Sequence, residues 1–238
     1  MTLRRMQIAT VALLMSSYSG LARAQATAET AVVRASDEPP AYWDQTVLAP
    51  RRALELSFNP SFVAGSQAAA GNARDVSERL ASGTSVALGL GYRASAAWEL
   101  ELGAAYEFYD KGPGGVAAAS ARGGWARLSS TYYFAPNART DPWLRGGAGY
   151  RWLKESASGS SFHDWRGFEP MSIATGLDLR VDRHFAFGPA LGAGIDVFLW
   201  DGSRAAADPR PSVFWNLGIL MRLDFGGRKL SGTQVAGR

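Results

Sequence analysis

The sequence predicts an all-β chain that closes into an eight-stranded antiparallel up-and-down transmembrane β-barrel. Three observations carry this. Eight segments, most of roughly ten residues, alternate apolar and polar positions with period two, as strands with two different faces do. The connections between them alternate short and long. No stretch of about 18 consecutive apolar residues occurs, so a helical crossing has no candidate, whereas a barrel needs only every second residue apolar. A mean hydropathy of -0.10 beside 47% hydrophobic residues fits the same pattern.

The chain opens like an export signal. Arg4 and Arg5 precede a short apolar core, Gln7 to Met15, and Ala22-Arg23-Ala24 has the small-residue spacing of a cleavage site, with Ala24-Gln25-Ala26 as the alternative. Residues 1–24 are thus expected to be a signal peptide. Their removal leaves 22 basic and 21 acidic residues, so the pI of 9.6 owes much to the signal. With no run of Arg and Lys, nucleic acid is not an expected partner. Residues 25–50 hold Pro39, Pro40 and Pro50 without periodicity and read as a lead-in. The barrel is expected over 51–225, with a tail over 226–238.

The first strand, ALELSFNPSFV, sets Leu54, Leu56 and Phe58 against Glu55 and Ser57. Pro60 then interrupts it, which suggests a bulge. The second, SVALGLGYR, opposes Val86, Leu88, Leu90 and Tyr92 to Ala87, Gly89, Gly91 and Arg93. The third, WELELGAAYEFY, opposes Trp98, Leu100, Leu102, Tyr106 and Phe108 to Glu99, Glu101, Glu107 and Tyr109. The fourth, ARLSSTYYF, opposes Leu128, Tyr132 and Phe134 to Arg127, Ser129, Thr131 and Tyr133. In the fifth, PWLRGGAGYRW, Leu144, Tyr150 and Trp152 oppose Arg145 and Arg151. The sixth, MSIATGLDLR, sets Met171, Ile173, Leu177 and Leu179 against Ser172, Gly176, Asp178 and Arg180. The seventh, ALGAGIDVFL, with Pro189 expected at its start, sets Leu191, Ile195, Val197 and Leu199 against Asp196 and glycines. The eighth, VFWNLGILMRLDF, sets Val213, Trp215, Leu217, Ile219, Met221, Leu223 and Phe225 against Asn216, Gly218, Arg222 and Asp224.

Three connections are short, near Ala94 to Ala96, at APNARTD and near Val181 to His184. Four are about a dozen residues or longer, among them AGSQAAAGNARDVSERLASG, DKGPGGVAAASARGG and KESASGSSFHDWRGFE. A soluble barrel would put the apolar face inward. The charged face here is glycine-rich, as a narrow lumen requires, and lysine, a common guard of soluble sheet edges, is limited to Lys111, Lys154 and Lys229. The aromatics Trp98, Phe108, Tyr132, Phe134, Tyr150, Trp152, Trp215 and Phe225 fall near strand ends, where interfacial girdles would lie.

The expected lumen network is Glu55, Arg93, Glu99, Glu101, Glu107, Arg127, Arg145, Arg151, Asp178, Arg180, Asp196, Arg222 and Asp224. Strand direction puts Glu55, Glu99, Glu101, Arg145, Asp178, Arg180, Arg222 and Asp224 in the half at the short turns, and Glu107, Arg127, Arg151 and Asp196 in the other. Buried charges demand partners, so ion pairs are expected, in a lumen just wide enough for its own side chains.

Signals of chemistry are sparse. With no cysteine there is no disulfide, thiolate metal site or thiol nucleophile. His163, read as a loop residue, and His184, in a short turn, show no metal or nucleophile spacing. DKGPGG lacks the lysine-serine ending of a phosphate loop. No catalytic residue, cofactor or metal is expected.

The eight alternating strands, the GAGY of the fifth and the final NLGILMRLDF resemble the small outer-membrane barrels of the OmpA, OmpX and OmpW type over residues 51–225. The resemblance implies the cell outer membrane of a Gram-negative bacterium, contact with its lipid, and insertion by the barrel-assembly machinery, which reads the last strand. Here residues continue past the terminal aromatic Phe225, a departure from the family. Some such barrels modify lipid A. The deacylase type carries His-x-Ser, whereas here His163 is followed by Asp164 and Trp165, and His184 by Phe185 and Ala186. Ser161, His163 and Asp164 are the nominal residues for a palmitoyltransferase-like site. The expectation is therefore a non-enzymatic barrel with a structural, surface-interaction or limited small-solute role. The alternatives are a lipid-A-modifying enzyme and a secreted soluble barrel binding an apolar ligand.

Overall fold

A computed structural model describes residues 47, 49–67, 80–111, 118–157, 160–202, 204–205 and 211–227. The expected signal peptide, nearly all of the lead-in and the tail past Gly227 lie outside these residues, as do the middles of the first three long connections and most of the last.

The strands are β1 (Ala53–Gln67), β2 (Leu80–Arg93), β3 (Trp98–Lys111), β4 (Ala118–Tyr133), β5 (Thr140–Ala157), β6 (Ser160–Arg180), β7 (Phe185–Asp201), β8 (Arg204–Ala205) and β9 (Pro211–Gly226). Each of β1 to β7 pairs antiparallel with the next, β7 pairs with β9, and β9 returns to β1. The result is a closed eight-stranded barrel, to which the two-residue β8 adds only a short arm on β7. Closure leaves no barrel strand with an unpaired edge, which is what a chain crossing hydrocarbon requires. Following partner to partner from Lys154 round all eight strands returns to Leu144 on the same strand, a shear of 10 residues. At about 3.3 Å per residue and about 4.8 Å between strands, that shear tilts the strands ~40° from the axis, so each residue adds ~2.5 Å of height.

Apart from a change of phase in β6 and near the end of β7, each barrel strand turns one parity of residues outward and the other into the lumen. Leu54, Leu88, Leu102, Leu128 and Leu217 are all more than half exposed, whereas Glu55, Arg93, Thr131, Asp178 and Arg222 are wholly buried. Placing carbon outside and charge inside would be ruinous in water and is favourable in lipid. The barrel is therefore a transmembrane one.

Four sequence expectations need correction. The strands run 14 to 21 residues rather than about ten. KESASGSSFHDWRGFE, read as a long loop, forms the end of β5 and the start of β6, so His163 is a strand residue paired with Glu155. The apolar alternation stops at the top of the bilayer, but the hydrogen-bond ladder continues beyond it. Pro60 makes no bulge. Its register with β2 is unbroken and that with β9 resumes in phase at Ser61. Pro189 lies inside β7, not at its start, with the ladder to β6 interrupted between Phe187 and Ala190. Both prolines spare the fold a bulge by dropping ladder bonds on one side only.

Candidate functional site

The lumen is the only place where the described residues gather chemistry in quantity. Its lower layer, at the end of the short turns, centres on Arg222 of β9. Arg222 Nη1 donates to Glu55 Oε1 at 2.7 Å, to Glu99 Oε2 at 3.0 Å and to the Tyr133 hydroxyl, while its Nε lies 3.1 Å from Asp178. Tyr133 donates in turn to Glu99. Arg93 donates to Glu55 at 2.9 Å and stacks 3.9 Å over the Tyr133 ring, and Arg180 donates to Asp224 at 3.1 Å. Because Glu55 is on β1, Arg93 on β2 and Arg222 and Asp224 on β9, this cluster ties together the strands that close the barrel. Just above it, Arg145 grips Glu101 with both terminal guanidinium nitrogens, Nη1 and Nη2, at 2.6 and 3.0 Å, and its Nε donates to Thr131. A two-pronged grip of this kind fixes geometry as well as charge.

The upper layer is a second, separate network. Arg151 donates to Glu107 at 2.6 Å and lies 3.1 Å from Asp196, and Tyr109 donates to Glu107 at 2.7 Å. Arg127 pairs with Glu169 at 2.7 Å and stacks 4.1 Å over Trp125. Above it, Val63, Tyr109, Ala121, Leu153, Phe198 and Phe214 pack into a buried apolar cluster, with Trp165 against its side. All thirteen charged residues read from the sequence as lumenal face inward, and each pairs within its own layer.

Several lumen residues were not in that reading. Glu169 was read as the end of a long connection, and strand alternation would not have recovered it, because β6 carries one extra residue between Phe168 and Met171, seen as a register shift against both neighbours. Extending the alternation backwards from Met171 and Ile173 puts Glu169 on the lipid face, and the bulge turns it inward. Pro170 beside it was the available signal. Asp141, wholly buried, accepts from the Ala135 amide and lies one residue before the start assigned to the fifth strand. Trp143, Leu153, Phe214 and Leu220 share the inward parity but are apolar, so a search for charge passed over them, and Tyr133, placed on the polar face by the alternation, was left out of the charged set.

Glu55, Glu99 and Glu101 bring carboxylate oxygens within 4.8 Å of one another, the spacing of a metal site. Guanidinium groups of Arg93, Arg222 and Arg145 already hold these oxygens, so the cluster is charge-compensated by the chain itself. His184, in the turn after β6, meets a backbone oxygen of Asp224 at 3.0 Å. Beside it Asp182 accepts from the amides of His184 and Phe185 at 2.6 and 2.9 Å. These bonds hold its carboxyl below the usual aspartate range.

On the outer surface the aromatics form two belts. Trp98, Tyr132, Phe134 and Phe225 lie low, and Trp98, Tyr132 and Phe134 meet edge to face at about 5 Å. Phe108, Trp152, Tyr150 and Trp215 lie high, where Tyr106 contacts both Phe108 and Trp152, and Tyr150 contacts Phe168. Trp98 and Phe108 are ten residues apart on one face of β3, ~25 Å of height, the thickness of an outer-membrane apolar band.

Comparison with solved structures finds this architecture in outer-membrane proteins. The Neisserial surface protein A aligns with a TM-score of 0.53 at 14% identity, covering 72% of this chain and 97% of its own. Outer membrane protein OprG of Pseudomonas aeruginosa gives 0.50 at 17%, covering 76% and 99%. Outer membrane protein AlkL, solved in lipid bilayers, gives 0.51 at 14%, covering 83% and 98%. The fold is that of the small eight-stranded outer-membrane barrels. No protein-family model matches the chain, and no curated protein matches it by sequence.

Proposed function

We propose that this chain is a non-enzymatic outer-membrane protein whose barrel is a closed anchor, acting through membrane structure and through the segments it holds outside the cell. The observation that carries this is the filled lumen. Two layers of paired charge and an apolar cluster across the outer end occupy the space an aqueous path would need. The shared fold and the inside-out polarity support outer-membrane placement in a Gram-negative cell, with lipid around the barrel and insertion by the barrel-assembly machinery. Against the soluble ligand-binding reading, Leu144 is exposed on the outer face while Arg145 and Arg151 point inward. Against a lipid-modifying site, the Asp164 carboxylate is already engaged by Arg166 at 2.7 Å. Single-channel recording of the purified protein in planar bilayers tests the anchor. It should show no resolved conductance steps, and reproducible steps abolished by filling the lumen further, as with Gly89→Leu, would overturn it.

A further inference from the structure

Above the upper aromatic belt, the outer face of three neighbouring strands changes from carbon to cation. Arg122 of β4, Lys154 of β5 and Arg166 of β6 are all exposed and face away from the lumen. Arg122 is the direct cross-strand partner of Lys154, and Lys154 that of Asp164, which Arg166 grips at 3.2 and 2.7 Å. Asp164 lies 3.9 Å from Lys154 and so holds the two cations side by side while cancelling only one of the charges. Among the described residues, Asp110 on β3 is the other outward carboxylate near this level, and this set sums to a net positive charge. The register sets Arg122 and Arg166 within about one residue's height of Lys154, and Trp152 and Phe168 about two residues lower. The cations thus stand where lipid headgroups begin.

Below them the surface is shallow. Ala104 and Ala126 are direct partners on β3 and β4, and Ala148 lies diagonal to Ala126 on β5, two residues below Tyr150, all three exposed and bordered above by Tyr106, Trp152 and Tyr150. Gly146, on the same face, has nothing within 4 Å of where a Cβ would stand except one backbone oxygen at 4.0 Å. A charged shelf above an apolar trough is the complement of an amphiphile with an anionic head and an acyl tail.

Resting on the outer-membrane reading, we propose that the outward face of β4 to β6 is a binding site for a phosphate-bearing lipid of the surrounding leaflet. Arg122, Lys154 and Arg166 would hold the phosphate and the alanine trough one acyl chain. The choice of phosphate follows from charge and position, because an outward side chain at this height meets headgroups before any soluble ion.

Native mass spectrometry of the chain purified in neutral detergent tests this, with a diphosphorylated acylated disaccharide lipid, phosphatidylglycerol and phosphatidylcholine as probes. The wild-type barrel should retain the two anionic lipids over phosphatidylcholine. The triple variant R122Q/K154Q/R166Q should bind them roughly tenfold or more weakly, the loss expected from three interfacial cations after screening. R51Q/R52Q, which removes exposed cations at the opposite rim, should bind as wild type. Equal binding by the triple variant, no preference over phosphatidylcholine, or full displacement by millimolar inorganic phosphate would overturn the proposal. A boiled-against-unboiled gel shift, run on each variant, reports the barrel itself. An intact shift with no lipid preference sinks this proposal alone, and no shift in the wild type sinks the membrane-barrel reading beneath it.

Discussion

Arg222→Met removes the one cation shared by Glu55, Glu99 and Asp178, all of them buried. Glu55 keeps Arg93 and Glu99 keeps the Tyr133 hydroxyl, but Asp178 loses its only ion pair at hydrogen-bond range among the described residues. Stranding a buried carboxylate typically costs about 3–5 kcal/mol, and methionine returns some packing, so a loss of about 3 kcal/mol is expected. With a urea slope of about 2 kcal/mol per M, that is a midpoint shift of about 1.5 M for the barrel unfolding from lipid vesicles. Adding Asp178→Asn to Arg222→Met should recover part of the loss, because it neutralises the stranded charge. A shift below about 0.5 M for Arg222→Met, about a third of that expected, would refute the idea that this network holds the seam between β1 and β9 closed.

Other outcomes follow from the same geometry. Leu88→Arg, on an outward position 57% exposed near mid-height, should cost about 2–4 kcal/mol in bilayers, whereas an exposed position in a water-facing barrel would accept it; urea unfolding from vesicles reads the difference. Gly218→Ala would drive a Cβ into the Pro60 carbonyl and to 2.5 Å from Ser61 Cβ, so it should destabilise the β1–β9 seam by about 1–3 kcal/mol in the same assay. Asp182 has a folded-state pKa below its ordinary value. The stability it adds is therefore complete above the ordinary aspartate range and disappears as pH falls through the lowered value. Asp182→Ala should thus be the less stable protein at neutral pH, and the gap should close in acid.

The fold was legible because period-two alternation is a local property of the chain. Leu88 and Gly89 announce opposite faces without reference to any other strand, and the direction of each strand then sorts charges such as Glu101 and Glu107 by height. What alternation does not encode is a change of phase. Glu169 is invisible to it because the extra residue in β6 flips the face between Phe168 and Met171. Strand length escaped for a related reason. Arg122, Lys154 and Arg166 look like loop residues because their outward neighbours are no longer apolar, although the ladder runs on through them. The apolar contribution to the lumen was overlooked because Phe214 and Leu220 sit on a face read only for charge.

The account stands on which face meets lipid, and the absence of cysteine makes a direct test possible. Single cysteines placed in turn from Val86 to Leu90 can carry a nitroxide, whose collision rates with oxygen and with a water-soluble nickel chelate are read in bilayers. Val86, Leu88 and Leu90 should be oxygen-accessible and shielded from nickel, while Ala87 and Gly89, inside the filled lumen, should be shielded from both. High nickel accessibility at Leu88 with oxygen enrichment at Ala87 would mean that the apolar face points away from lipid, and would contradict the account at its root.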